Sequence, residues 1–408
     1  MNKTIKTALT QIANKRPFGT YANGVQPVLT TAKVGDVNLK NRVVMSALTR
    51  QKAPREGSNR GVPSELHQEY YSSRAEDAGF VLTECSSVSE DGDSFPGSTG
   101  IYNDQQVEGW KKVTEAVHSK DGRIFLQIWH AGRAAHPDQI GGRTPISSSA
   151  IAIDSKVWAG GKLQPHVVPK EATLDDIKRV IEAFRAGAER AKQAGFDGVE
   201  LHGANGYFID QFLRDGVNKR TDNYGGSLEN RSRLCFEVLD QLISVFGSQR
   251  VGVKLSPVND YNKMEDSDPI ALVSHLIPKL NERKLGFVEL TEGFSLEGRD
   301  AALRKKFYEN RTEKSFREIF KRQFDGTYIT NHGMTQDSAN ETIQKGHTDL
   351  VSFGQLYVAN RDLVHKFRTG APLNKMQFAD PKQLMAYLYG ELGALGYTDT
   401  SVYEPKQK

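Results

Sequence analysis

The sequence predicts an α/β protein built as a single (β/α)8 barrel of the TIM type. Strand-like and helical segments alternate eight times along the 408 residues, which is the repeat of a closed parallel barrel. The strand-like runs are short, continuous and apolar, as in a parallel sheet buried on both faces. The alternative is an open doubly wound sheet, but the GxGxxG turn that it would carry after an early strand is not present.

Each strand-like run is bounded by polar or turn-forming residues. The runs read NRVVMSAL, GFVLTECSSV, RIFLQIWH, FDGVELH, RVGVKLS, GFVELT, GTYIT and DLVSFGQ, and cover Asn41–Leu48, Gly79–Val88, Arg123–His130, Phe196–His202, Arg250–Ser256, Gly286–Thr291, Gly326–Thr330 and Asp349–Gln355. The helices predicted after them are Glu65–Asp77, Asp104–Lys120, Leu174–Gln193, Leu228–Phe246, Pro269–Glu282, Lys314–Gln323, Gln336–Gln344 and Asp362–Arg368. Glycines such as Gly195, Gly247 and Gly346 separate a helix from the next strand, as helix C-caps do.

The segments outside this repeat predict one domain, residues 27–408, preceded by an extension, residues 1–26. The extension is basic and lacks acidic residues, so it either packs outside the barrel or loosely resembles an organelle transit peptide. Ala134–Pro169 is predicted to be a loop, with a hairpin as one option, and Gly293–Arg311 a lid over the barrel mouth. Loops of this length are usually functional.

Composition narrows the class of protein. Hydrophobic residues make up 38% and charged residues 25%, which suits a globular protein with a large core. No run approaches the roughly 18 apolar residues that span a bilayer. A net charge of +4 without a dense basic patch argues against nucleic-acid binding. The two cysteines form no CxxC pair, which favours a reducing compartment, the cytoplasm. The sequence leaves monomer and homodimer both open.

Polar residues collect where the strand-like runs end. A barrel builds its active site at these C-terminal ends. They carry Thr49, Cys85, Gln127, Trp129, His130, His202, Asn205, Tyr207, Lys254, Asn331, His332, Gly333, Gly354 and Gln355. The set has neither metal-ligand spacing nor a GxSxG nucleophile elbow. It is rich in hydrogen-bond donors and therefore suits a polar planar cofactor better than a metal.

The segment HGANGY, His202 to Tyr207, is the most informative short piece. His202 and Asn205 supply two donors that together polarise a carbonyl oxygen. Tyr207 is suited to proton donation, because the reference pKa of a phenol is near 10. The alternative is that these side chains satisfy backbone groups of the loop.

Over about residues 27–403 the chain resembles the Old Yellow Enzyme family of FMN-dependent ene-reductases. LKNRVVMSALTR is similar to the family's opening strand, with Ser46–Ala47 where Ala-Pro is usual. HGANGYFIDQFLRDGVNKRTDNYGGSLENRSR matches the family signature nearly throughout, GQLYVANRDLVHKFRTGAPLN resembles the last barrel unit, and YGELGALGYTD the C-terminal tail. The order and length of these matches make the resemblance highly specific.

The resemblance implies how the flavin is held. Thr49 would bond the flavin near its reactive nitrogen, and Gln127 would bond the pyrimidine edge. Ala47, Leu48 and Cys85 would contact the ring system, with Cys85 at a position where the family usually has Gly or Ala. The flavin would supply the hydride chemistry, while the protein orients the reactants.

The resemblance also implies the substrate side of the site. His202 and Asn205 would hold the carbonyl or nitro oxygen of the substrate. Tyr207 would protonate its α-carbon after hydride reaches the β-carbon, and Trp129 and Tyr389 would shape the pocket.

Three departures from the family pattern fall on the flavin site. Lys254 and Gln355 each stand where the family usually has an arginine, facing the flavin edge and the phosphate respectively. The loop after the seventh strand reads Asn331-His332-Gly333 instead of Ala-Gly-Gly. His332, as a cation near a phosphate, would compensate for a missing arginine.

The leading hypothesis is therefore an NADPH- or NADH-dependent ene-reductase acting on α,β-unsaturated carbonyl or nitro compounds by ping-pong hydride transfer. The alternatives are a barrel with weakened FMN binding that serves as a binding or regulatory protein, and a flavin-independent isomerase or lyase. The choice between the two nicotinamides stays open. The basic lid residues are either a 2′-phosphate contact or surface charges; they are Arg299, Arg304, Lys305 and Lys306.

Overall fold

The computed structural model describes residues 24–292, 316–376 and 380–403, and these form a closed barrel of eight parallel strands. The barrel strands, numbered β1 to β8 in chain order, are Val43–Met45, Phe80–Leu82, Ile124–Trp129, Gly198–Gly203, Val251–Leu255, Phe287–Thr291, Thr327–Asn331 and Leu350–Phe353. Each pairs in parallel with the next, and β8 pairs with β1. The predicted (β/α)8 barrel is confirmed.

Helices surround the barrel, and several have the bounds predicted for them. The described helices are Glu65–Ala75, Asp104–His118, Leu174–Gln193, Phe208–Leu213, Leu228–Phe246, Pro269–Arg283, Phe316–Gln323, Gln336–Gln344, Gln355–Ala359, Leu363–Thr369 and Pro381–Tyr389. Side-chain caps fix the starts of two long ones, because Thr173 accepts from Asp176 N and Ser227 accepts from Asn230 N.

A short N-terminal hairpin, not predicted from the sequence, covers the N-terminal end of the barrel. Ala32–Val34 pairs antiparallel with Val37–Leu39. Its apolar side chains pack against an apolar layer inside the barrel, formed with Val44, Phe80, Leu82, Phe125, Phe287, Ile329 and Leu350. The N-terminal half of the barrel interior is thus an apolar core.

Two predicted strands need correction. Gly79–Val88 is not one strand, because β2 ends at Leu82 and a separate pair of residues, Ser86–Ser87, joins the far end of β3. The ladder breaks where the Glu84 N–H donates to the Tyr71 hydroxyl, 2.9 Å away, instead of to a neighbouring strand. The eighth run, Asp349–Gln355, ends at Phe353, and its last residue begins the helix Gln355–Ala359.

The long loop before the third barrel helix contains the hairpin that was one option for it. Lys156–Ala159 pairs antiparallel with Lys162–Pro165. The predicted lid, Gly293–Arg311 with its four basic residues, lies outside the described residues, as does nearly all of the extension 1–26. Within the described part of the chain, no helix is both long and apolar enough to cross a membrane.

Candidate active site

A layer of buried polar side chains lies inside the barrel directly above the apolar core. The strand alternation turns Gln127, Glu200, Lys254 and Glu289 inward, and all four are buried. The Lys254 ammonium lies 3.0 Å from Glu289 Oε1. Lys254, which the resemblance places at the flavin edge, is therefore tied to a carboxylate inside the barrel.

The two carboxyl groups of this layer differ in protonation. Burial and repulsion from Glu289 raise the pKa of Glu200 well above its usual value. Burial acts most strongly on Glu289 and would raise its pKa, but attraction to Lys254 and hydrogen bonds with Ser352, Glu200 and Lys254 together outweigh burial and hold that pKa below the usual value. Glu289 thus carries the negative charge of the pair, and Glu200 holds a proton.

Further polar groups converge on the charged carboxylate. Glu289 Oε1 accepts from Ser352 Oγ at 2.7 Å and from Asn331 Nδ2 at 2.9 Å. Glu200 and Glu289 are not among the site residues that the sequence predicts. The sequence feature that could have indicated them is a single charged residue inside an apolar strand, as in GFVELT. A charged side chain is buried in a strand only when a partner compensates its charge.

Above the layer, the ends of β1 to β3 present neutral polar groups. The Cys85 thiol donates to Gln127 Oε1 at 2.8 Å, and the Thr49 side chain hydrogen-bonds the same thiol. Burial raises the pKa of Cys85 to about 12, so the sulfur stays protonated and is not a nucleophile. Ala47 and Leu48 are half-buried beside them. The predicted ring contacts are therefore gathered on one side of the barrel mouth.

Three aromatic rings meet at the ends of β3 and β4. The Tyr207 ring packs edge-on against Trp129, with centroids 4.6 Å apart, and against His202, with centroids 5.1 Å apart. Burial lowers the pKa of His202 to about 3, so its imidazole is neutral near pH 7. Burial raises the pKa of Tyr207 well above its usual value, so the phenol keeps its proton.

Two of these rings have buried nitrogens without a hydrogen-bond partner among the described residues, His202 Nδ1 and Trp129 Nε1. A buried polar atom left unpaired costs free energy, about 1–3 kcal/mol. Such atoms at a barrel mouth therefore mark where a bound molecule supplies the missing partner.

Tyr389 joins this group from the C-terminal helix. The Tyr389 phenol is among the groups that raise the pKa of Tyr207. Its helix is held by cations after β1, since Arg50 Nε donates to Leu388 O at 3.2 Å and Lys52 Nζ donates to Gly390 O at 2.5 Å. The sequence does not predict these two hydrogen bonds, because their partners are 338 residues apart.

The ends of β7 and β8 complete the mouth next to β1, with which β8 pairs. His332 and Gly333 have left-handed φ values of 85° and 64° and are exposed. A Cβ added to Gly354 would lie 3.3 Å from Leu48 Cδ1, so glycine permits a close approach of the backbone there. Gln355 is exposed next to it.

This arrangement fits FMN. Neutral donors and acceptors, Thr49, Gln127 and Cys85, line the side expected to meet the ring system. Gly333 and Gly354 follow the seventh and eighth strands, where barrels of this type bind phosphate. A Cβ at Gly333 would meet no neighbouring atom, whereas the backbone of Gly354 closely approaches Leu48. His202, at the end of β4, has a buried nitrogen without a partner among the described residues, and this nitrogen is suited to a substrate oxygen.

Comparisons with known proteins agree with the architecture. Residues 28–374 match the family model described as NADH:flavin oxidoreductase / NADH oxidase family. The chain is 38% identical to 12-oxophytodienoate reductase 1 of Oryza sativa subsp. japonica over 385 residues, which cover 94% of this chain and 95% of the relative.

Solved structures give the same result. Morphinone reductase in complex with tetrahydroNAD superposes with a TM-score of 0.81 at 36% identity, covering 92% of this chain and 97% of the other. The Old Yellow Enzyme homologue from Zymomonas mobilis gives 0.82 at 32% identity, covering 93% and 99%. The chain is therefore similar to flavin enzymes over nearly its whole length.

Proposed function

Because this chain belongs to the NADH:flavin oxidoreductase / NADH oxidase family and is an FMN-dependent oxidoreductase using a nicotinamide as hydride donor, we propose that it reduces activated carbon–carbon double bonds. The substrates would be α,β-unsaturated carbonyl or nitro compounds, with NADPH or NADH and the substrate taking turns in one site. The observation that carries this proposal is the neutral, unpaired imidazole of His202 beside the protonated phenol of Tyr207. FMN, when bound, supplies the hydride.

The side chains of the site bind the substrate and supply the proton. His202 and Asn205 donate hydrogen bonds to the substrate oxygen, on which negative charge develops as hydride reaches the β-carbon. Tyr207 then donates the phenolic proton to the α-carbon. Trp129 packs on both rings and, with Tyr389, bounds the pocket.

The test uses the colour of the purified protein. Protein loaded with FMN should be yellow, should bleach when NADPH or NADH is added under argon, and should regain its colour when cyclohexenone follows. Protein that no added FMN colours would contradict the proposal, and so would bleached protein whose colour cyclohexenone does not restore.

The second candidate, a barrel with weakened FMN binding that serves as a binding protein, rests on two of the expected flavin contacts. Gln355 offers only a neutral amide where the family pattern has arginine, and the charge of Lys254 is engaged by Glu289. Either feature would weaken the hold on an anionic cofactor.

We expect Gln355→Arg to bind FMN about 10- to 100-fold more tightly than the wild-type chain. A charged, bidentate donor replaces a neutral one, and a hydrogen bond to a charged group stabilises by roughly 1.5–3 kcal/mol. Titration of FMN fluorescence measures the dissociation constant. Gln193→Arg, which adds the same charge at the end of an outer helix, is the control. Equal affinity of Gln355→Arg and wild type would mean that another group already makes the contact.

A further inference from the structure

Asn205 is held on three sides by the segment 256–262 that follows β5. Its backbone N–H donates to Ser256 Oγ at 2.7 Å, and its carbonyl oxygen accepts from Asn262 Nδ2 at 3.0 Å. Its side-chain Oδ1 accepts from Asn259 Nδ2 at 2.8 Å. The segment therefore fixes both the backbone and the amide of Asn205, which has a left-handed φ of 57° that asparagine tolerates.

The side-chain bond decides which end of the Asn205 amide faces the site. A primary amide can turn by 180°, which exchanges a donor for an acceptor at nearly the same position. If Asn205 Nδ2 faces the site it donates to a substrate oxygen, whereas Oδ1 in its place would repel that oxygen. The two orientations of the Asn205 amide have nearly the same shape but opposite hydrogen-bonding character, so another residue must determine which one is adopted.

A backbone group fixes the orientation. The Tyr261 N–H donates to Asn259 Oδ1 at 2.8 Å, and a backbone N–H has no acceptor capacity. Asn259 therefore directs its Nδ2 donor toward Asn205, and the Asn205 atom that accepts this hydrogen bond must be Oδ1. The other end of the Asn205 amide, Nδ2, is then left for the site, and no described residue accepts a hydrogen bond from it.

Asn259 is itself anchored to the helix after β4. Its carbonyl oxygen accepts from Arg214 Nη1 at 2.6 Å. The Arg214 guanidinium also lies 3.8 Å from Asp210, whose carboxylate accepts from Gly206 N at 2.8 Å. This series of contacts runs from Asn259 to Gly206, the neighbour of Asn205. Together with the direct bond between Asn259 and Asn205, it holds the two asparagines in a fixed relation.

We propose that Asn259 is a positioning residue that sets the Asn205 amide with its donor end toward the substrate. This inference rests on the proposed function, because it concerns the oxygen that Asn205 would bind. It makes the site selective for ligands that present a hydrogen-bond acceptor, such as a carbonyl, nitro or oxyanion group, over ligands that present a donor.

Asn259→Asp tests the proposal because it keeps the size of the side chain. One carboxylate oxygen still accepts from Tyr261 N–H, but the other can only accept, so the Asn205 amide turns its Nδ2 away from the site. We expect kcat/KM for cyclohexenone to fall by more than the factor of about 10²–10³ that follows removal of an oxyanion donor, because a repelling carbonyl oxygen also takes the place of that donor. FMN affinity, measured by fluorescence, should stay as in the wild type.

A second substitution shows whether Asn259 acts through Asn205. Asn205→Gly removes the amide without strain at a left-handed φ. Because it also removes the turned carbonyl oxygen, adding Asn205→Gly to Asn259→Asp should raise kcat/KM above that of Asn259→Asp alone. An independent structural defect would instead add its loss to that of Asn205→Gly.

Lys263→Gln is the control for charge, since it lowers the local charge by the same one unit beside this segment through an exposed side chain that makes no described contact with Asn205. The fold-decrease in kcat/KM of this control should be less than a tenth of that of Asn259→Asp. Equal decreases in the two variants would overturn the proposal. If Asn259→Asp does not bind FMN, Asn259→Ala replaces it. Removing one neutral hydrogen bond should then lower kcat/KM about 2- to 10-fold, and should have no effect in Asn205→Gly.

The outcomes separate the two proposals. If Asn205→Gly leaves cyclohexenone turnover unchanged, the assigned substrate site is wrong and the proposed function fails with it. If Asn205→Gly slows turnover while Asn259→Asp and Asn259→Ala do not, only the positioning role of Asn259 is refuted.

Discussion

Replacing His202 by alanine should lower kcat/KM for the reduction of cyclohexenone by about 10²–10³, the usual loss when one donor to a developing oxyanion is removed. The imidazole is buried, and one of its nitrogens lacks a partner among the described residues. Burial, with the nearby Lys254, lowers its pKa to about 3. It therefore donates as a neutral N–H, and kcat/KM between pH 5 and 8 should show no titration of His202.

The control for this substitution is His275→Ala, on the outer helix Pro269–Arg283. His275 hydrogen-bonds Ser232 on the neighbouring helix and is far from the barrel mouth in the fold. Steady-state kinetics of both variants, each saturated with FMN, should show the loss in His202→Ala alone. Unchanged turnover in His202→Ala would mean that the substrate oxygen binds elsewhere.

The eight-fold repeat was predictable because each unit has a local pattern: an apolar run, a polar turn and an amphipathic helix. Helix bounds such as Leu174–Gln193 and Leu228–Phe246 agree because their caps are also local. The break in β2 was not predictable. It depends on a hydrogen bond from Glu84 to Tyr71, a residue on the preceding helix that the pattern of a strand does not include.

The site also contains some residues that the sequence predicts and others that it does not. His202, Asn205 and Tyr207 lie within one short segment, so spacing and resemblance both pointed to them. The groups that set their properties come from other strands: Lys254 is on β5, and its partner Glu289 is on β6. Which of two asparagine amides donates to the other, as in Asn259 and Asn205, depends on a contact across 54 positions that no periodicity encodes.

Tyr207→Phe should separate proton transfer from hydride transfer. The substitution keeps the ring that packs against Trp129 and His202 and removes the phenolic hydroxyl, which carries the acidic proton and a hydrogen bond with Tyr261. The raised pKa of Tyr207 means that this proton is present throughout the neutral range. We expect turnover of cyclohexenone to fall by about 10²–10⁴, the usual contribution of a positioned general acid, because its α-carbon must be protonated.

A nitroalkene should lose much less rate in the same variant. Hydride addition to a nitroalkene gives a nitronate, which is a stable anion and leaves the site without immediate protonation, whereas the enolate formed from an enone reverts unless it is protonated. The ratio of the two kcat/KM values therefore reports the proton step alone. Tyr224→Phe is the matched control, since that phenol donates to Glu237 at 2.9 Å on the outside of the barrel and its loss should change neither rate. Equal losses on both substrates in Tyr207→Phe would show that the hydroxyl has a structural role and that the acid is another group.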